Sequence, residues 1–348
     1  MASLLPLFYF KNYIKIVDQR ELPLKLKYIY CRNEKDVFSA IKKMKIRGAP
    51  AIGIAGAFGL YLGIRNFRTN NKKAFIEKTE NVSRYLVNAR PTAVNLSWAL
   101  QELKQKIYSN LRKSIPELKN IAYKEAMYIM KDDQKRSQLM GKFGARLINN
   151  KDVCLTICNA GGMATSGYGT ALGVFFKAKA QKKNFQVYVC ETRPLLQGAR
   201  ITSWELKQKK IKTTLICDSM AASLMKRKII KKVFVGADRI TMSGDFANKI
   251  GTYNLAVLAR FHNIPFYVVA PLSTFDKILG SGKDIPIEYR SKDEVISLYF
   301  KKPISPSGIQ IDNPAFDVTD SKLVTAFVTE KGLIEPPYNK NIKEIIYG

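Results

Sequence analysis

The 348-residue sequence has a single histidine, His262, two tryptophans, no CxxC pair among its five cysteines, and 28 acidic residues against 58 basic ones. Each scarcity removes a class of chemistry. One histidine excludes any mechanism that needs two, such as an HExxH zinc site or a phosphohistidine relay. Cys31, Cys154, Cys158, Cys190 and Cys217 are odd in number, in a chain long enough to be held by its core without disulfide staples, so a reducing cytoplasm fits best. The opening MASLLPLFYFKNY has a short apolar run without a preceding basic region or a small-residue cleavage site, and does not read as a secretory signal. The uncharged run over 48–64 contains several glycines and falls short of the roughly 18–20 apolar residues a bilayer span needs. It is expected to be a buried helix, and no membrane association is expected.

What is present is an ordinary hydrophobic share, 46%, beside a formal charge of +30. That combination describes a basic globular protein, since disorder would need depleted hydrophobicity as well as charge. Net charge speaks to nonspecific association more than to fold. At about 150 residues per domain, the length predicts two domains.

Two textures divide the chain. Residues 24–148 read mainly as helices, over 37–44, 50–64, 72–88, 95–109 and 118–148, with Pro50 suited to a first helical turn. Along 50–64, Ala51, Ala55 and Gly59 recur every four residues, a small-residue ridge that permits close packing. From Val153, short β-branched runs at 153–158, 186–191, 213–217, 232–236 and 265–270 alternate with helical stretches, the pattern of βαβ units around a parallel sheet. The expected fold class is therefore α/β, with a small mainly helical N-terminal domain (1–148, with short strands at its start) followed by a parallel-sheet domain (149–348). Residues 303–348 read as irregular loops with one helix or strand near 323–329.

Ligands of open parallel sheets bind beyond the carboxyl ends of the strands. The first run ends in Cys158-Asn159 and enters the uncharged, glycine-rich AGGMATSGYGTALG. The second ends in Glu191-Thr192-Arg193, the third in Asp218-Ser219 and the fourth in Gly236-Ala237-Asp238-Arg239. Four strand ends thus bring thiol, carboxylate, guanidinium and hydroxyl groups toward one rim. The glycine-rich turn can offer backbone N–H groups to a phosphate, although it matches neither GxGxxG nor GK[ST]. Earlier in the chain, Arg47-Gly48-Ala49-Pro50 and Arg90-Pro91-Thr92 each put a guanidinium at the start of a helix, a pairing suited to a phosphate dianion. Met163, Phe175 and Phe176 read as helix-core residues first and as lining of an apolar pocket second.

With these segments laid out, the chain resembles the methylthioribose-1-phosphate isomerases along nearly its full length. The resemblance is carried by DQRELP from Asp18, RGAPAIG from Arg47, RPTAVNL from Arg90, CNAGGMATSGYGTALG from Cys158, ETRPLLQGARITSWEL from Glu191, VGADRITMSGDFANKIGTYNLAVLAR from Val235, IPFYVVAPLSTFD from Ile264 and NPAFDVT from Asn313. It implies a Rossmann-like C-terminal domain, a homodimer, and conversion of 5-methylthioribose 1-phosphate to 5-methylthioribulose 1-phosphate in methionine salvage. It further implies that Cys158 and Asp238 are catalytic, and that Arg47, Gly48, Ala49, Arg90, Gln197, Asn248 and Lys249 contact the substrate. No metal and no organic cofactor is implied, and no specific nucleic acid partner. Ile157 departs from the family pattern, which often has a polar residue before the cysteine. Two alternatives share the fold: ribose-1,5-bisphosphate isomerase, which would need extra cations for its second phosphate, and the regulatory subunits of the translation-initiation exchange factor, which are non-catalytic scaffolds.

Overall fold

The computed structural model describes residues 5–90 and 93–348. The chain forms two compact units, one of Met1–Ser137 with Gly161–Gly169, the other of Gln138–Ala160 with Thr170–Gly348.

The first unit opens with an antiparallel meander of β1 (Leu7–Phe10), β2 (Tyr13–Val17) and β3 (Tyr28–Cys31), in register Leu7↔Ile16 and Ile14↔Cys31. Helices α1 (Glu34–Lys42), α2 (Ala49–Arg65), α3 (Lys72–Val87) and α4 (Val94–Tyr108) follow, then the part of α5 (Ile115–Ala145) that precedes Gln138. Asn33 and Asn71 cap α1 and α3 with side-chain oxygens that accept N–H groups of the first turn, which is why α1 starts three residues before the apolar pattern becomes visible. The uncharged run over 48–64 is indeed the buried helix, α2, and its residues 51–62 are almost all buried. Its closest approaches run along glycines: a Cβ on Gly53 would lie 2.7 Å from the carbonyl oxygen of Asn95, and one on Gly56 would lie 2.3 Å from Leu96 Cδ1. The ridge against α4 is therefore Gly53–Gly56, one face round from Ala51–Ala55. Because Gly53 meets Asn95 and Gly56 meets Leu96 and Leu100, α2 and α4 run parallel and start at the same end.

The second unit is built on a seven-stranded sheet in the order β13-β12-β10-β7-β4-β5-β6. Its strands are β4 (Val153–Thr156), β5 (Gln186–Cys190), β6 (Lys212–Ile216), β7 (Lys232–Val235), β10 (Phe266–Val269), β12 (Ala326–Thr329) and β13 (Gly332–Ile334). All pairings are parallel except the hairpin β12–β13. The α/β class with crossover helices, including α6 (Ala171–Ala180), α7 (Ser203–Gln208), α8 (Ala221–Lys226) and α9 (Thr252–Phe261), is the one the strand–helix alternation predicts. A separate antiparallel sheet, β11-β9-β8, joins β8 (Arg239–Ile240), β9 (Phe246–Lys249) and β11 (Phe316–Thr319). After a short helix α10 (Asp293–Ile296), the last 46 residues carry more structure than the loops expected there. They supply β11, the edge hairpin β12–β13, and the amphipathic helix α11 (Tyr338–Tyr347), which buries Tyr338 and Ile342 one turn apart. Strands of three or four residues are too short to register as a period-2 pattern. Phe175 and Met163 are fully buried, and Phe175 meets Phe234 edge-on at 5.5 Å, so Phe175 serves packing. Among the described residues no helix is long and apolar enough to cross a membrane.

Gly53 offers a test of the parallel helix pair. Alanine gains about 1 kcal/mol of helix propensity over glycine, but the clash here is with backbone, and overpacking costs about 1–3 kcal/mol. Gly53→Ala is therefore expected to destabilise the protein by up to about 2 kcal/mol, measured by urea unfolding.

Candidate active site at the strand-order reversal

From β4 the sheet is extended on one side by β5 and β6 and on the other by β7, β10 and β12. The order reverses between β4 and β7, and such a reversal leaves a crevice beyond the carboxyl ends of the two strands. Cys158 lies two residues past the end of β4, and Asp238 three residues past the end of β7. The two residues expected to be catalytic thus stand at the ends of neighbouring parallel strands, on either side of the switch point.

Cys158 is held by its backbone. Its φ is +64°, in the left-handed region that costs a residue with a Cβ roughly 1–2 kcal/mol. Its N–H donates to Thr192 Oγ1 (2.8 Å), and its carbonyl accepts from Thr202 Oγ1 (2.5 Å). Thr192, itself at φ +68°, is fixed in turn because its N–H and that of Arg193 donate to the two carboxylate oxygens of Asp218 (2.8 and 2.7 Å). The next residue, Asn159, is buried and donates to Glu205 Oε1 (2.8 Å) and Thr202 Oγ1 (3.2 Å). Cys31, Cys154 and Cys190 are enclosed, and burial pushes their thiols up, that of Cys31 to about 12. Cys158 is only half-buried and remains reachable. Ile157 before it faces the core.

Of the other strand-end groups, several are committed elsewhere. Asp218 holds backbone, Arg193 bonds to the carbonyls of Val295 and Pro194 and lies over the Phe300 ring, and Arg239 faces Asp276 (3.7 Å) rather than its neighbour Asp238. Gln197 is different. It is 3% exposed, it precedes the π-helical turn Gly198–Thr202, and its buried Oε1 has no hydrogen-bond partner among the described residues. π-turns of this kind concentrate at functional sites. Gly198 admits no side chain, since a Cβ there would sit 1.8 Å from the carbonyl oxygen of Cys190.

The small antiparallel sheet collects the remaining groups of this unit. The N–H of Asp238 donates to the carbonyl of Ala247 on β9 (2.9 Å), and β9 ends in Asn248 and Lys249. Asn248 is buried and donates to Thr252 Oγ1 (2.9 Å). Lys249 is buried too, with Nζ donating to the carbonyl of Ala315 (2.7 Å) and lying 4.3 Å from the Phe316 ring centroid. Opposite Asn248 in register stands Asp317, whose Oδ2 accepts the N–H of Gly251 (2.6 Å) at the start of α9. Burial raises the Asp317 carboxyl to about 6, against the opposing pull of backbone N–H groups and of Lys249.

In the first unit, Arg47 is buried and Gly48 caps α2 at φ +93°. A Cβ on Gly48 would lie 2.4 Å from Ala164 Cα, so the Arg47-Gly48-Ala49 turn packs directly on the glycine-rich loop Gly161–Gly169. Arg90 lies between α3 and α4; Pro91 and Thr92 of the same motif are outside the described residues. Since α2 and α4 start at the same end, Arg47 and Arg90 accompany two positive helix ends that point the same way. Among the described residues no three His, Cys, Asp or Glu side chains gather as metal ligands do.

The model of the Initiation factor 2 subunit family matches residues 45–336. The chain belongs to that family. Among relatives, the methylthioribose-1-phosphate isomerase of Desulforamulus reducens is 48% identical over 334 residues, 96% of each chain. The 5-deoxyribose 1-phosphate isomerase of Moorella thermoacetica is 48% identical over 343 residues, 99% of this chain and 97% of that one. The crystal structure of 5-methylthioribose 1-phosphate isomerase from Pyrococcus horikoshii superposes with a TM-score of 0.90 at 40% identity, over 99% of this chain and 96% of its own. That of the translation initiation factor eIF-2B subunit delta from A. fulgidus gives 0.87 at 42% identity, over 99% and 100%. This member of the Initiation factor 2 subunit family therefore has relatives named as enzymes and as a translation factor.

Motif reading leaves Thr202 and Asp317 without a role, although both lie inside quoted motifs, ETRPLLQGARITSWEL and NPAFDVT. Their partners are a carbonyl 44 residues away and an N–H 66 residues away. Asp317 gives a test of sign. A carboxyl whose folded value, about 6, exceeds its unfolded 3.8 binds protons more tightly when folded, so its contribution to stability falls as pH rises from about 4 to 6. Asp317→Asn removes that fall. Urea midpoints at pH 4.5 and 6.5 are expected to differ less, in the direction of lost stability at the higher pH, for the variant than for the parent chain.

Proposed function

We propose that this chain is an aldose–ketose isomerase that converts 5-methylthioribose 1-phosphate to 5-methylthioribulose 1-phosphate in the cytoplasm. The observation that carries the reading is the reachable thiol of Cys158 and the carboxyl of Asp238 on neighbouring strand ends at the sheet's switch point. Relatives with this enzyme name, matched over nearly the whole chain, support it. A scaffold has no use for a half-buried thiol held in a strained backbone.

The substrate sets the chemistry. Phosphorylation of the anomeric oxygen locks the furanose, so no free aldehyde is available for simple enediol exchange. The bond from C1 to the ring oxygen must break, the ring oxygen must gain a proton, a hydrogen must pass from C2 to C1, and the C2 hydroxyl must lose its proton as the ketone forms. Asp238 takes the two oxygen-centred transfers: it gives a proton to the ring oxygen and receives the one from O2, which returns it to its starting state. This role requires Asp238 to start protonated. Cys158 acts at the C2 hydrogen, as the base of a phosphoenolate route or as the group that steadies the transition state of a hydride shift. Substantial solvent deuterium at C1 of the product would exclude a direct hydride shift. Arg47 and Arg90, with the N–H groups of Gly48 and Ala49, are assigned to the phosphate. Gln197, Asn248 and Lys249 are assigned to the sugar hydroxyls and the phosphate.

Asp238→Asn and Cys158→Ala should each lower kcat by at least about 10²–10⁴, the usual loss for a general acid or base, with the melting curve unchanged. Turnover near the parent's in either variant would overturn the assignment. Methylthioribose 1-phosphate, 5-deoxyribose 1-phosphate and ribose 1,5-bisphosphate assayed side by side fix the substrate; the first is expected to give the highest kcat/KM and the bisphosphate the lowest.

A homodimer is part of the same reading. On α9, Tyr253, Val257 and Phe261 repeat every four residues and are 44%, 39% and 79% exposed, an apolar stripe that a second copy would cover. Light scattering is expected to return twice the chain mass, and Val257→Glu with Phe261→Glu to shift it toward the monomer.

A further inference from the structure

We propose that Asp133 is a positioning residue of the substrate site. From α5 it clamps the glycine-rich loop Gly161–Gly169, and through that loop it fixes the Arg47-Gly48-Ala49 turn that receives the phosphate. The inference rests on the isomerase reading and extends it to a helix that carries none of the groups assigned so far.

The clamp is specific. The N–H of Ser166 donates to Asp133 Oδ2 (2.8 Å), and the Ser166 hydroxyl donates to the same oxygen at short range. The neighbouring Gln134 donates from Nε2 to the Ser166 carbonyl (3.2 Å). Two consecutive helix residues thus take the N–H, the hydroxyl and the carbonyl of one loop residue. A second hold comes from Gln19, whose Nε2 donates to the carbonyl of Met163 (2.7 Å). Between these anchors the loop is braced internally. Thr165 Oγ1 accepts the N–H of Gly169 (2.9 Å) and of Gly167 (3.3 Å). Glycines at φ +116° and +93° (Gly167 and Gly169) let the chain double back so that Gly161 and Gly169 bridge.

Bracing at Ser166 matters because of what lies two residues earlier. Ala164 is the surface on which Gly48 rests, too close for any side chain to intervene. Gly48 in turn sets where the first N–H groups of α2 point and where Arg47 leaves the chain. Rigid support from α5 therefore passes through Ser166 and Ala164 to the phosphate turn. A carboxylate suits this task better than an amide, since one charged oxygen accepts two donors in strong, short bonds. Keeping it there has a cost: burial raises the Asp133 carboxyl to about 6, against the pull of the Ser166 donors and of Arg136, with Asp132 on the same helix adding to the rise.

Asp133→Asn and Ser166→Ala in the full chain test the proposal. In Asp133→Asn, KM for methylthioribose 1-phosphate is expected to rise about tenfold with kcat within about threefold, the pattern of lost ground-state binding. The melting temperature at pH 8 should stay level or rise, because a charge that resisted burial has been removed. Ser166→Ala should move KM the same way by less. Hydrogen exchange read without substrate should show the amides of 161–169 exchanging faster in Asp133→Asn. Unchanged exchange overturns the clamp. Faster exchange with KM unmoved overturns its link to the phosphate turn, and a joint fall of kcat and melting temperature reduces Asp133 to a structural residue. Should the parent chain fail to turn over this substrate, the isomerase reading fails while the exchange comparison still decides the clamp.

Discussion

The backbone of Cys158 is the constraint on which the rest of the strand-end rim depends. A residue with a Cβ enters the left-handed region at a cost of about 1–2 kcal/mol, and a hydrogen bond returns about 1 kcal/mol net. Two hydroxyls, from Thr192 and Thr202, grip the N–H and carbonyl of Cys158, so the strain and its support are nearly matched. Neither threonine can do this alone. Thr192 must itself be turned to φ +68° by Asp218 at the end of β6, and Thr202 must be brought round by the π-turn that Gly198 permits beside Cys190. Three strand ends and a helix are therefore committed to aiming one side chain.

This commitment explains why the rim reads differently in sequence and in space. Thiol, carboxylate, guanidinium and hydroxyl all appear at strand ends, yet Asp218, Arg193 and Thr192 hold backbone or neighbouring loops. Cys158 and Asp238, to which the chemistry is assigned in the proposed function, stand on neighbouring strand ends because the strand order turns between β4 and β7. Strand order is not legible in a single sequence; the βαβ alternation that makes the sheet parallel is. In the same way the β-branched runs announced five strands of the parallel sheet, whereas β8, β9, β11 and β13, of two to four residues, carried no period to detect. Asn248 and Lys249 were legible only through a motif, because what orients them is a sheet whose third strand lies 66 residues downstream.

Charge shows a similar division between composition and placement. The formal +30 invites a polyanionic partner, but net charge sets long-range attraction rather than recognition. The cations that the fold prepares are few. Lys249 is buried against a carbonyl and an aromatic face, and Arg47 and Arg90 accompany two parallel helix starts. The apolar run over 48–64 is what makes those two starts coincide, because glycine at 53 and 56 lets α2 lie close along α4. The uncharged run is thus the device that brings two helix starts, each preceded by an arginine, to one end of a unit.

Stability is given up where the site is held. Asp133 and Asp317 both sit where burial lifts a carboxyl to about 6, and both accept backbone N–H groups from segments that carry assigned residues. Each group binds its proton more tightly in the folded chain, so above about pH 4 each subtracts from stability rather than adding to it. A neutral acceptor would avoid that loss but would hold its donors less tightly. Carboxylates at these two positions exchange folding free energy for a fixed position of Ser166 in one unit and of Gly251 in the other.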